Sequence, residues 1–102
     1  LLEQRRDEGA DLTKSCVSNV TDLSEIFSRS RFNQNIGIWD VSSVTNMENL
    51  FEENRTFNQN VNMWDVSNVT SMERMFRNAE KKEESHIFSR LCISLVLHLG
   101  LL

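Results

Sequence analysis

Cysteine is scarce in this chain, and its placement excludes two structural classes. Cys16 and Cys92 are the only two thiols, far apart and in unlike surroundings. They form neither a disulfide framework nor a zinc knuckle, both of which need closely spaced sets. A cationic face is lacking as well. Eleven Lys and Arg stand against fifteen Asp and Glu, for a net charge of −4. The cations Arg5, Arg6, Arg29, Arg31, Arg74, Arg77, Lys81 and Lys82 are scattered, whereas a nucleic-acid surface gathers its cations to neutralise phosphates. The opening LLEQRRDEGADLTKS has no apolar stretch after a basic start, so no signal peptide is visible. The chain begins with Leu1 rather than Met and reads as a fragment or a partial gene product. Gly-rich phosphate loops, HExxH and GxSxG are missing too. A thiol catalyst would have to bring Cys16 or Cys92 to His86 or His98, and both histidines lie in the C-terminal tail. No catalytic residue, cofactor site or metal site is therefore expected, and the chain reads as a non-enzyme.

What the sequence does contain is a repeat. Hydrophobic residues make up 39% and charged residues 25% of 102 positions, the balance of one small soluble domain. Residues 32–56 align without a gap on residues 57–81: FNQNIGIWDVSSVTNMENLF becomes FNQNVNMWDVSNVTSMERMF. Thirteen of the 25 columns are identical, which marks an internal duplication. Upstream, residues 16–27 (CVSNVTDLSEIF) match the second half of the unit. Ser15 and Cys16 there replace the Trp-Asp pair, and Phe27 to Phe51 is 24 residues rather than 25. That first copy reads as a degenerate terminal unit. The expected organisation is a non-repeat flank over 1–14, repeats over 15–80 (about 15–31, 32–56 and 57–81) and an apolar tail over 82–102.

The local pattern predicts a strand and a helix in each copy. Val44, Met47, Leu50 and Phe51 recur at the spacing of one helix face, as do Val69, Met72, Met75 and Phe76, and Val20, Leu23, Ile26 and Phe27. Thr45 with Glu48, and Thr70 with Glu73, have the T-x-x-E spacing of a capping box that starts a helix. Ile36, Ile38 and residues 39–41 predict a short strand before it, with Val61, Met63 and residues 64–66 in the next copy. One such unit cannot enclose a core, so copies must stack. The expected fold class is therefore α/β: a short leucine-rich-repeat-like solenoid with one short strand and one short capped helix per repeat. Its expected core is Val20, Leu23, Phe27, Phe32, Trp39, Val44, Met47, Phe51, Phe57, Trp64, Val69, Met72 and Phe76.

FNQN, WDVSNVT and the following Met-x-x-Met-Phe resemble the repeat of BspA-like leucine-rich repeat surface proteins, over about residues 16–79. The resemblance implies an extracellular or cell-surface array used in protein binding and adhesion, with no catalytic residues. The array here is short, and Asn35 and Asn60 stand where that family often has Asp.

Several residues invite a chemical reading and a plainer one. Trp39 and Trp64 could anchor a partner, but one per repeat fits a stacked core ladder. Asp40 and Asp65 supply too few oxygens for calcium, and a turn role fits them better. The FNQN amides would bond between neighbouring copies. Three N-x-T sequons occur, at Asn19, Asn54 and Asn68. Two fall inside the repeated SNVT, so Asn54 is the candidate glycosylation position if the protein is secreted by a eukaryote. In the tail, residues 87–102 are apolar but interrupted by Arg90, leaving about 12 residues where a membrane span needs about 20. A cap on the open end of the array, the start of an anchor, and a truncation artefact or translated non-coding sequence all fit it. The expected function is a non-catalytic scaffold, a fragment of a surface-exposed protein that binds a protein or other surface macromolecule. Nucleic acid is not an expected partner, and membrane association follows only if the tail belongs to an anchor. A structural spacer or intracellular interaction scaffold, or a membrane-tethered fragment, are the alternatives.

Overall fold

The computed structural model describes Leu2, Arg6, residues 9–61 and residues 63–79; the apolar tail, with its cap, anchor and artefact readings, lies outside the described residues. The expected α/β solenoid is not what forms. Among the described residues only Leu2 and Arg6 are helical, and strand pairing is reduced to isolated parallel bridges from Asp22 to Asn46 and from Asn46 to Ser71. Among the described residues, neither the strand expected before each tryptophan nor the helix expected after it is present.

The reason lies in the backbone of the segments read as helices. Glu25, Arg29, Asn49, Glu53, Arg74 and Asn78 all have φ between 52° and 61°, whereas every residue of an α-helix needs φ near −60°. One left-handed residue in four breaks the i→i−4 register. What replaces the helix is a series of overlapping turns in which alternate N–H groups take different routes. Leu23, Glu25, Phe27 and Arg29 donate to the carbonyls of Asn46, Glu48, Leu50 and Glu52 in the next copy, at 2.9, 3.0, 3.1 and 2.8 Å. Met47, Asn49, Phe51 and Glu53 donate in the same way to Ser71, Glu73, Met75 and Arg77. The N–H groups between them, those of Ile26, Ser28, Leu50 and Glu52, bond back three residues to Leu23, Glu25, Met47 and Asn49. Backbone donors that a helix would satisfy internally are thus divided between local turns and the neighbouring copy. The apolar spacing i, i+3, i+4 still places one face inward, because a pair of such turns brings round the same positions.

Left-handed backbone costs an L-residue about 1–2 kcal/mol, and Asn adopts it most readily after Gly. Asn49 holds this conformation in the second copy where Arg74 holds it in the third. Arg74→Asn is therefore expected to stabilise the chain by roughly 0.5–1 kcal/mol, seen as a thermal midpoint raised by a few degrees; an unchanged or lowered midpoint would contradict the reading.

The expected capping boxes have no helix to cap, and their side chains join copies instead. Thr45 donates its hydroxyl to the Thr21 carbonyl at 3.2 Å, and Thr70 donates to the Thr45 carbonyl at 3.1 Å. The Glu48 carboxylate accepts from the Ser71 hydroxyl at 2.9 Å, and Glu73 is exposed. At the first copy's outer side, Arg6 donates its guanidinium to the Ile26 carbonyl.

The core runs through all three copies. Leu23, Phe27, Phe32, Trp39, Val44, Met47, Phe51, Phe57, Trp64, Val69 and Met72 are buried, while Val20 and Phe76 are partly buried against them. Leu12, Val17, Ile26, Ile36, Val41, Leu50, Val61 and Met75 complete it. Five phenylalanines form a double stack: Phe27 on Phe32 at 3.8 Å and Phe51 on Phe57 at 4.1 Å between ring centroids. These pairs are joined by Phe27–Phe51, Phe51–Phe76 and Phe32–Phe57 contacts at 5.7, 5.5 and 6.3 Å.

Leu12 lies within the segment expected to be a non-repeat flank, yet it occupies the place of Ile36 and Val61 in the later copies. The Leu12 carbonyl accepts from Ser15 N–H, as Ile36 does from Trp39 and Val61 from Trp64. The Trp39 indole donates to Leu12 and the Trp64 indole to Ile36, at 3.0 and 2.9 Å. The first structural copy therefore begins by Asp11, upstream of the boundary placed at residue 15. Nearby, the Gln34 side chain bonds both Leu12 N–H and the Ala10 carbonyl, and Gln59 bonds Asn33 in the preceding copy.

Candidate functional site

One edge of each copy is a loop in which polar side chains are tied to their own backbone. Asp40 accepts from Ser42 N–H at 3.0 Å and from the Ser42 hydroxyl at 2.6 Å. Asp65 does the same with Ser67 at 3.0 and 2.6 Å. In the first copy the place is taken by Cys16, whose sulfur lies 3.5 Å from the Ser18 hydroxyl. The serine hydroxyl and then the serine N–H hold the Asp40 and Asp65 carboxyls below the usual aspartate range. Both are thus anions at neutral pH. The same pair of contacts from Ser18 lowers the exposed Cys16 thiol from its ordinary value. The expected turn role thus describes what Asp40 and Asp65 do, although both remain on the surface.

Two residues before each aspartate, a large apolar side chain points into solvent. Ile38 is 79% exposed and Met63 82%. The tryptophans that follow them turn inward and are buried, with indole N–H groups bonded to the preceding copy. Lys14 holds the corresponding position in the first copy. Beside it an open depression of about 200 Å³ is lined by residues that include Lys14, Cys16, Ile38, Trp39 and Asp40. Charge is sparse on this half of each copy: over residues 32–46 only Asp40 is charged, and over residues 57–71 only Asp65. Among the described residues, the cations of the second and third copies, Arg55, Arg74 and Arg77, belong to the turn segments instead.

The structure overturns the glycosylation reading of Asn54. Its side chain is 1% exposed. Its amide nitrogen donates to the carbonyls of Phe27 and Phe32 at 3.3 and 3.1 Å. Its oxygen accepts from Thr56 N–H, the Thr56 hydroxyl and Phe57 N–H, each at 3.0 Å. No glycan fits there, and the sequon's Asn and Thr are hydrogen-bonded to each other. Of the other sequon asparagines, Asn19 is exposed, while exposed Asn68 donates to the Ser42 carbonyl at 2.7 Å.

The described residues contain no cluster of His, Cys, Asp or Glu suited to a metal ion, and no helix long and apolar enough to cross a membrane. Cys92, His86 and His98 lie outside the described residues. Ile38 and Met63, placed in strands by their sequence pattern, are the surface residues sequence reasoning missed. The signal was Lys14 at the same position in the first copy, since a position that takes lysine faces water.

A family model described as a Mycoplasma protein of unknown function, DUF285, matches residues 2–89. The chain belongs to the DUF285 family. That match begins well before Cys16, in keeping with the place of Leu12 in the first structural copy of this DUF285 chain. No curated protein and no solved structure matches it.

Proposed function

We propose that this DUF285 chain is a non-catalytic repeat scaffold belonging to a surface-exposed protein, and that it docks another protein through the edge carrying Ile38 and Met63. The observation that carries the reading is the exposure of two large apolar side chains at one position of successive copies, while the tryptophans beside them are buried. A single exposed apolar residue is ordinary, but a column of them is a recognised mark of an interaction surface. Against catalysis stands the use of the polar groups on this edge. One oxygen of each of the Asp40 and Asp65 carboxylates is spent on its serine partner in a turn, the ordinary structural use of such residues. For the cell-surface placement, the support is the likeness of FNQN and WDVSNVT to BspA-like surface repeats.

The test is adhesion. Beads coated with the chain are expected to attach to a cultured cell layer, and beads carrying Ile38→Ser with Met63→Ser to detach under the same flow. Both residues are exposed, so the double variant should keep the parent's thermal midpoint. Equal attachment by folded parent and variant would overturn the proposal.

A further inference from the structure

We infer that the edge carrying Ile38, Met63, Asp40 and Asp65 takes a polypeptide segment in which Lys or Arg side chains alternate with apolar ones. This rests on the docking surface proposed above and assigns its partner's chemistry. Three observations carry it. First, the aspartates occupy one position of successive copies, as do the apolar residues, and hydrogen-bonded neighbouring backbones lie about 4.8 Å apart. The edge therefore presents a short apolar row beside a short anionic row. Second, Asp40 and Asp65 are the only charges between Phe32 and Asn46 and between Phe57 and Ser71. No cation of those segments neutralises them. Third, each aspartate is oriented by its bonds to Ser42 or Ser67, which keeps the outer carboxylate oxygen on the surface at no further ordering cost.

Charge then selects among occupants. Nucleic acid and an anionic lipid surface are repelled, and a second copy pairing through the same edge would set aspartates against aspartates. A purely cationic segment would leave Ile38 and Met63 in water, and a purely apolar one would desolvate the carboxylates without a partner. Lys14, at the first copy's place in the apolar row, directs the partner's cations toward the second and third copies.

The experiment measures fluorescence anisotropy of a labelled Ser/Gly-rich peptide bearing lysines and leucines. Its counterparts carry glutamate for every lysine or serine for every leucine. The whole chain is expected to bind the first peptide, more weakly as salt rises, and to bind neither counterpart. Asp40→Asn with Asp65→Asn removes the charge but keeps the turn, because an asparagine oxygen accepts the same bonds, as at Asn46. Binding should weaken roughly three- to tenfold, the range of two solvent-exposed ion pairs. Glu25→Gln with Glu73→Gln changes net charge equally on the turn side and should leave binding unchanged. Equal weakening by the two pairs, or equal binding of the glutamate peptide, would overturn the inference. If Asp40→Asn with Asp65→Asn leaves both peptide binding and bead attachment intact while Ile38→Ser with Met63→Ser abolishes attachment, the docking surface stands and its cationic partner falls.

Discussion

Asn54→Ala is expected to cost about 4 kcal/mol, close to the upper end of single-substitution effects. The estimate follows from what the amide holds together. Its nitrogen bonds the carbonyls of Phe27 and Phe32, and its oxygen bonds Thr56 and the N–H of Phe57. The Asn54 side chain thus ties together backbone at three of the five stacked phenylalanines. Removing it leaves buried donors and acceptors unmatched, at about 1–3 kcal/mol for each group that water cannot reach. The corresponding residue of the first copy, Ser30, does a smaller version of the same task, donating to the Phe27 carbonyl at 2.9 Å and accepting from Phe32 N–H. Asn54→Asp separates the hydrogen bonds from the volume. The new carboxylate would aim an oxygen at two carbonyls, so the folded state favours its protonated form and raises its pKa. The folded chain then binds more protons than the unfolded one above about pH 3.9, the ordinary aspartate value, and stability falls as pH rises through that point. Urea unfolding across pH checks both variants. A loss below 1 kcal/mol for Asn54→Ala, or an Asn54→Asp chain that grows more stable toward neutral pH, would contradict this role.

The sequon at Asn54 points to a surface position, and the structure buries it. N-x-T is a local pattern and carries no information on burial, and the bonds that bury Asn54 come from residues 22 and 27 positions upstream. Repeat register was legible for the opposite reason. Equal residues at spacings of 24 and 25 must occupy equivalent places, so the positions that are apolar in every copy, such as Leu23, Met47 and Met72, mark the buried face whatever the backbone does between them. The backbone itself was not legible. Apolar residues at i, i+3 and i+4 serve a helix and a run of overlapping turns alike, and the two differ at Glu25, Asn49 and Arg74, where φ is positive; the N–H groups of Glu25 and Asn49 are drawn to carbonyls of the next copy. Thr45 and Glu48 show the same ambiguity. A T-x-x-E spacing satisfies helix N–H groups when a helix exists; here the threonine finds a carbonyl one copy away. Leu12 escaped notice because Ser15 replaces the tryptophan that marks the position in later copies. The edge carrying Ile38 and Met63 is half visible in the sequence, where Asp40 and Asp65 read as turn residues, but the exposure of Ile38 and Met63 follows from the chain not forming the strand expected of them.

Phe51→Ala is expected to remove roughly 3–5 kcal/mol, the range for deleting a buried phenylalanine. Phe51 is fully buried and sits at the crossing of the two stacks, against Phe27, Phe57 and Phe76. Its loss opens a cavity that touches all three copies, and it deletes three aromatic pairs worth about 0.5–1.5 kcal/mol each beyond their buried area. Neighbouring rings cannot close the gap by shifting, because Phe27 and Phe57 are each held by a second ring, Phe32 in both cases. Phe51 N–H also crosses to the Met75 carbonyl at 2.8 Å, so the backbone at this point is pinned to the third copy and resists collapse. Phe76→Ala is the internal comparison. Phe76 is only partly buried, and its truncation should cost less than half as much in the same denaturant experiment. Similar losses at the two positions would mean that the rings contribute as separate apolar surfaces, and that the five-ring stack is not a cooperative core.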